Sequence, residues 1–174
     1  DTLIVRNANC NEKLVTLDGN ERNLSENDIV IANKNEAVGL AGVMGGLSTE
    51  IENDTKDIII ESAIFDNIKI RKTSKKILRS EASNRFEKGL DPKRTYMAIE
   101  RSCALLEKYA DAEIVGGMLI HDTVDKYEKV IEVRYEKVNK VLGIEIPKDE
   151  TVSILKALGF KTLEKEDIVI VTVP

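Results

Sequence analysis

The sequence predicts an α+β fold, in which a mixed or antiparallel sheet carries packed helices and is followed by a smaller module of two helices and a few strands. Three observations lead there. Apolar runs of strand length alternate with polar turns through the first sixty residues. A stripe of Tyr96, Ile99, Cys103, Leu106 and Ala110, at alternating spacings of three and four, marks a helix of about five turns. Beyond a polar stretch at Asp122–Lys129 the pattern becomes short helical segments, each closed by a glycine and framed by strands.

In chain order, Leu3–Val5 and Leu14–Leu17 read as short strands, with the chemistry of a tight turn at Asp18-Gly19-Asn20. Asp28–Ala32 and Ala37–Val43 read as two buried strands of a hairpin joined by Asn33-Lys34-Asn35-Glu36. The β-branched run Ile58-Ile59-Ile60 predicts a core strand that ends on the carboxylate of Glu61. Asp66 is placed to cap a helix from Asn67 to about Leu78. Asp91-Pro92 starts the striped helix, on which Cys103 is expected to be buried. Ile114–Ile120, interrupted by Gly116-Gly117, reads as a strand returning to the sheet. The change of pattern sets a domain boundary, giving units 1–125 and 126–174. In the second unit a strand at Val130–Val133 precedes helices Glu136–Leu142 and Asp149–Leu158, capped by Gly143 and Gly159. Strands Phe160–Leu163 and Ile168–Val173 close it around Lys165-Glu166-Asp167.

Composition narrows the function. With 174 residues and 42% apolar content the chain can bury an ordinary core, and no apolar run approaches the length of a membrane span. Neither an initiator Met nor a signal pattern stands at Asp1, so the chain reads as an excised, non-secreted segment. Cys10 and Cys103 form no metal or disulfide spacing and are expected to be reduced. A net charge of −5 opposes a surface that grips nucleic acid everywhere. Yet between Asn67 and Arg79 six cations (Lys69, Arg71, Lys72, Lys75, Lys76, Arg79) occur with no acid. On composition alone that run is either a solvated helix face or a binding surface.

Gly42-Val43-Met44-Gly45-Gly46 follows a buried strand, where glycines let the main chain turn sharply and offer N–H groups to a ligand; a plain turn is the other reading. Glu61, between Ile58-Ile59-Ile60 and Ala63-Ile64-Phe65, is costly to bury alone. It either has a functional role or forms a salt bridge to Arg85 or Arg71. The polar stretch Arg79–Gly89, between two helices, suits a ligand-facing loop. His121, the only histidine, leaves no triad with a second His partner and no His-rich metal site and reads as a strand-end residue, and Ser80 and Ser83 have no evident activating base.

Four ordered blocks, namely Gly42-Val43-Met44-Gly45-Gly46, Glu61–Phe65, Ile70–Ser74 and Arg79–Pro92, resemble the editing module of bacterial phenylalanyl-tRNA synthetase β chains. The remainder, with Val141-Leu142-Gly143, Ile146-Pro147 and Leu155–Phe160, is similar to the small domain that follows in that family. The resemblance implies hydrolysis of tyrosine mistakenly attached to tRNA(Phe), with Gly45, Gly46, Glu61, Ser80 and Ala82 at pocket positions. Glu61 would accept a hydrogen bond from the tyrosine phenol, and phenylalanine would leave it unpaired. Small residues at Gly45 and Ala82 would leave room for the ring, and N–H groups near Gly45 and Gly46 would face the developing oxyanion. Positioned water and the substrate's ribose hydroxyl stand in for a protein base, so no catalytic residue is assigned. Arg71, Lys72, Lys75, Lys76 and Arg79 become a tRNA-facing surface.

For the whole enzyme the resemblance implies a cytoplasmic αβ synthetase that uses ATP and Mg²⁺. It also implies a histidine-bearing pocket wall before residue 1 and acidic magnesium ligands after Pro174. The segment itself is expected to hold no metal or cofactor and to meet no DNA or membrane. From Val130 to Pro174 seven cations face eight anions, which gives a DNA-binding helix pair little electrostatic support. A non-catalytic tRNA-binding module with a degenerate pocket, or a structural spacer, are the competing functions.

Overall fold

The computed structural model describes residues 2–124 and 128–174 and is α+β. Two compact units divide near Met118 and Leu119. The boundary expected at 125/126 lies outside the described residues. Among the described residues no helix is long and apolar enough to cross a membrane.

The first unit is built on a four-stranded antiparallel sheet in the order β1-β4-β5-β6, with β1 at Ile4–Asn7, β4 at Ile29–Ala32, β5 at Ala37–Leu40 and β6 at Met44–Gly45. A separate hairpin joins β2 (Lys13–Val15) to β3 (Glu21–Asn23). The expected hairpin of buried strands is β4 and β5, whose inward residues Val30, Ala32, Ala37 and Leu40 are buried. Its turn is tied by Asn33, whose side-chain oxygen accepts from the N–H groups of Asn35 and Glu36. The core adds Ala8, Leu14, Leu24, Val43 and Ile70.

Ile70 comes from helix α1, Asn67–Lys76, which starts where the sequence places it: Asp66 accepts from the Lys69 N–H at 2.8 Å. The helix ends two residues before the expected Leu78. Its inner face is fixed by a polar knot. Asp28, beside β4, is buried and accepts from Thr73 Oγ1 at 2.6 Å, from the Ser25 N–H and hydroxyl at 2.8 and 2.9 Å, and from Lys76 Nζ at 3.5 Å. Burial alone pushes this carboxyl up; the Thr73 and Ser25 hydrogen bonds and the Lys76 charge more than offset that, so it stays below its ordinary value.

A second short helix, α2 at Glu81–Phe86, occupies what the sequence suggested was a loop. Ser80 caps it: its Oγ accepts from the Ser83 N–H at 3.1 Å, and Ser83 Oγ accepts from the Ser80 N–H at 2.9 Å. The reciprocal pair resembles a capping box with serine in place of the usual Glu or Gln. Helix α3 runs from Arg94 to Ala110, two residues beyond the expected Pro92 start, because Asp91-Pro92 form a leading turn in which Asp91 Oδ1 accepts from the Lys93 N–H. No residue of α3 is buried, and Cys103 is half-buried instead of buried. Both cysteines are free.

Two expected strands do not form. Ile58-Ile59-Ile60 and Ile114–Ile120 have no ladder partner among the described residues, and Ile59 and Leu119 are 72% and 104% exposed. β-branched propensity expresses itself only where a neighbouring strand supplies the ladder and a surface to pack on.

In the second unit, β7 (Val130–Arg134), β8 (Lys161–Glu164) and β9 (Ile168–Thr172) form an antiparallel sheet in the order β7-β9-β8. Helices α4 (Tyr135–Leu142) and α5 (Lys148–Ala157) pack Tyr135 and Val152 against Val169 and Val171. Gly143 and Gly159 adopt the left-handed conformation at φ +71° and +87°, as their helix-ending positions require.

Candidate functional site

The first unit contains a cavity of about 510 Å³ whose floor is the glycine-rich end of the sheet. Ile31, Gly39 and Gly45 are cross-strand partners on β4, β5 and β6, so they form one row across that floor. The Leu40–Val43 turn closes it at one side, with Gly42 at φ +66°. A Cβ on Gly42 would approach Phe86, Ile70 and Phe65 within 3.2 to 3.4 Å, so glycine is needed here for both conformation and space. Phe65 and Phe86, with ring centroids 5.7 Å apart, form an aromatic corner.

Glu61–Phe65 makes one wall. With no strand to hold it, this segment is tied instead by Ser62, whose Oγ donates to the Thr95 carbonyl of α3 at 2.8 Å. Glu61 therefore reaches the cavity from an irregular segment. Its carboxylate has no ion pair or hydrogen bond among the described residues: Arg85 bonds Glu81 at 2.8 Å, and Arg71 forms no ion pair there. Solvent still reaches the Glu61 side chain from the open side, yet enough protein surrounds it that desolvation raises its carboxyl above the ordinary value. A carboxylate that lines a cavity with no protein donor is free to accept from a ligand.

The rest of the lining comes from Ala82 and Phe86 of α2, the Leu90-Asp91 loop and the first turns of α3 at Arg94, Thr95 and Ala98. Ala82 thus lines the same cavity as Glu61 and Gly45. Ser80 and Gly46 are not among the lining residues. The Ser80 hydroxyl donates to the Val43 carbonyl at 2.6 Å while it caps α2, fastening that helix to the turn on the floor. The Gly46 N–H donates to Val38 O at 2.8 Å, and a Cβ there would come within 2.6 Å of the same oxygen. That N–H is engaged in the sheet, and the glycine is required by packing.

Gly39, Ser62, Phe65, Phe86 and Arg94 are cavity residues that sequence reasoning did not single out. Gly39 had a signal, since glycine in a strand interior often marks a close approach. The tie from Ser62 joins residues 33 apart and had none.

Helix α1 buries Ile70, Thr73 and Ser74 and turns Arg71, Lys72, Lys75 and Lys76 outward. Lys76 is drawn toward Asp28, and no ion pair involves Arg71, Lys72, Lys75 or Arg79 among the described residues. No group of three or more His, Cys, Asp or Glu side chains among the described residues could hold a metal ion. The second unit has a cavity of similar size lined by Val133, Val138, Val141 and Leu142 with Glu132, Arg134 and Lys137.

Residues 1–111 match the B3/4 domain family and residues 131–174 match the tRNA synthetase B5 domain family. The phenylalanine–tRNA ligase β subunit of Bacillus subtilis (strain 168) is 46% identical over 173 residues, which is 99% of this chain and 22% of the relative. The chain belongs to the phenylalanyl-tRNA synthetase β-chain family. The β subunits of Staphylococcus haemolyticus (42% identical) and Bacillus cereus (43% identical) match over the same 99% of the chain and 22% of their own length. The chain thus spans about a fifth of the β chains it matches. The cavity of the first unit lies wholly within the residues that match the B3/4 domain.

Proposed function

We propose that the B3/4 region is the editing pocket of a phenylalanine–tRNA ligase, hydrolysing tyrosine misattached to tRNA(Phe). One observation carries this: Glu61, with no protein partner among the described residues, lines a cavity floored by glycine backbone. The phenol of tyrosine would donate a hydrogen bond to that carboxylate. A bound phenylalanine ring would cover that carboxylate without offering it a donor, so the difference falls on the amino acid to be rejected. Ala82, a small residue of the same lining, leaves room for the ring.

The reaction is attack of water on the aminoacyl ester. No histidine lines the cavity and Ser80 Oγ is engaged with Val43 and Ser83, so the reading relies on positioned water and the substrate's ribose hydroxyl. Of the proposed oxyanion donors, the region of Gly45 remains, because the Gly46 N–H is held by Val38. The outward face of α1, with Arg71, Lys72 and Lys75 and then Arg79 beyond it, gives the acceptor arm of the tRNA an approach surface. Aminoacylation, with ATP and Mg²⁺ and an α chain as partner, belongs to the assembled cytoplasmic enzyme in this reading.

The test is deacylation of tyrosyl-tRNA(Phe) by the full-length αβ enzyme and its Glu61→Ala variant. Loss of one hydrogen bond to a charged acceptor predicts a fall of about 100-fold in kcat/KM for the tyrosyl ester. Undiminished hydrolysis would remove Glu61 from this role and favour a degenerate, non-catalytic module.

A further inference from the structure

Glu61 is held in place by very little. From Lys56 to Phe65 the chain enters no helix or strand. Over those residues the bond from Ser62 Oγ to the Thr95 carbonyl, at 2.8 Å, is the only hydrogen bond among the described residues. Upstream, Ile58 and Ile59 are 47% and 72% exposed, so packing adds little there. Downstream, Phe65 is anchored by its ring against Phe86 and the core. Ser62 is therefore the hydrogen-bonded point nearest to Glu61, and it is the very next residue.

The acceptor of that bond is itself firmly placed. Thr95 lies in the first turn of α3, where its N–H and its hydroxyl both donate to the Pro92 carbonyl, at 3.2 and 2.7 Å. Beside it the Arg94 N–H donates to the Asp91 carbonyl at 3.1 Å. Ser62 and Thr95 both line the cavity, so the bond joins two parts of its lining that lie 33 residues apart in sequence. A side-chain donor adjacent to the proposed phenol acceptor, aimed at a fixed carbonyl of the same cavity, sets where that acceptor stands.

We infer that Ser62 is a positioning residue for tyrosine recognition: its bond to the Thr95 carbonyl holds the Glu61 main chain at one place on the lining, where the carboxylate meets the incoming phenol. The inference rests on the editing reading and acts through Glu61. Without the bond the segment samples several arrangements, only a fraction of which present the carboxylate to the phenol, and the apparent affinity falls by that fraction. The phenol is remote from the ester carbon, so its contact is made in the ground state and the transition state alike. Its weakening therefore appears in KM.

The experiment uses the full-length αβ enzyme and its Ser62→Ala, Glu61→Ala and doubly substituted variants. Each is assayed for deacylation of tyrosyl-tRNA(Phe) and for binding of tyrosyl-adenosine and phenylalanyl-adenosine analogues that carry an amide in place of the ester. Ser62→Ala is expected to raise KM about fivefold with kcat little changed, and to weaken the tyrosyl analogue by the same factor. The phenylalanyl analogue, which offers Glu61 no donor, is expected to bind the parent and Ser62→Ala equally. On the Glu61→Ala background the Ser62 change is expected to add nothing to the loss of tyrosyl binding, because the group it positions is gone. A loss that is equal for both analogues, or that persists undiminished on the Glu61→Ala background, makes the bond merely structural and overturns the inference. So does a Ser62→Ala enzyme that matches the parent or fails to fold. The editing reading survives each of those results. It falls, and this inference with it, if Glu61→Ala leaves hydrolysis of the tyrosyl ester undiminished.

Discussion

Asp28 and Glu61 are two carboxylates of the same unit that protein surrounds to opposite effect. Asp28, at the junction of β4 and α1, receives hydrogen bonds from Thr73, Ser25 and Lys76 and is held below its ordinary value despite its burial. Glu61, on the cavity wall, receives none among the described residues, and desolvation raises it. Saturation with donors makes the first a structural clamp. The second has no protein donor among the described residues and remains open to solvent and to an incoming donor.

Breaking the clamp should give the larger effect on stability. Asp28→Ala strands the Thr73 and Ser25 donors and frees the inner face of α1, for an expected loss of about 3 kcal/mol in a denaturant titration. The contrast can be sharpened by pH. A lowered carboxyl adds stability above its unfolded-state value and loses it as pH falls through the folded value, so Asp28 contributes to acid unfolding. A raised carboxyl acts in the opposite sense: stability is greatest while Glu61 is protonated and declines as pH rises from about 4.5 through its folded value. Glu61→Gln should remove that decline and leave the protein more stable at neutral pH than the wild type. Asp28→Asn should instead flatten the acid limb. Equal pH profiles for the two variants would erase the distinction drawn between the sites. The smallest expected effect is at Ser62, whose replacement by alanine removes the tie to Thr95 at a cost of about 1 kcal/mol, read as a lower melting temperature.

Where a feature depends on local chemistry it was legible in the sequence. The β4–β5 hairpin, the Asp66 cap and the glycine ends of α4 and α5 each depend on a few neighbouring residues. Glu61 stood out because a carboxylate between apolar runs demands an explanation, and it does line the cavity with Gly45 and Ala82. What stayed hidden depends on distant partners. Ile58-Ile59-Ile60 has strand composition but no adjacent strand among the described residues, and Ser80 and Gly46 look like pocket residues until Val43 and Val38 are seen to engage them. Helix α2 escaped notice because its capping pair is Ser80 and Ser83, without the acidic or amide residue that usually announces such a start.

The hydroxyl of Ser80 gives the cavity a particular kind of permanence. A six-residue helix has no independent stability in water, since nucleation costs more than so few turns return. Helix α2 persists because one oxygen both starts it and fastens it to the carbonyl of Val43, next to the floor. The wall bearing Ala82 and the turn bearing Gly42 are consequently expected to order and melt as one cooperative element.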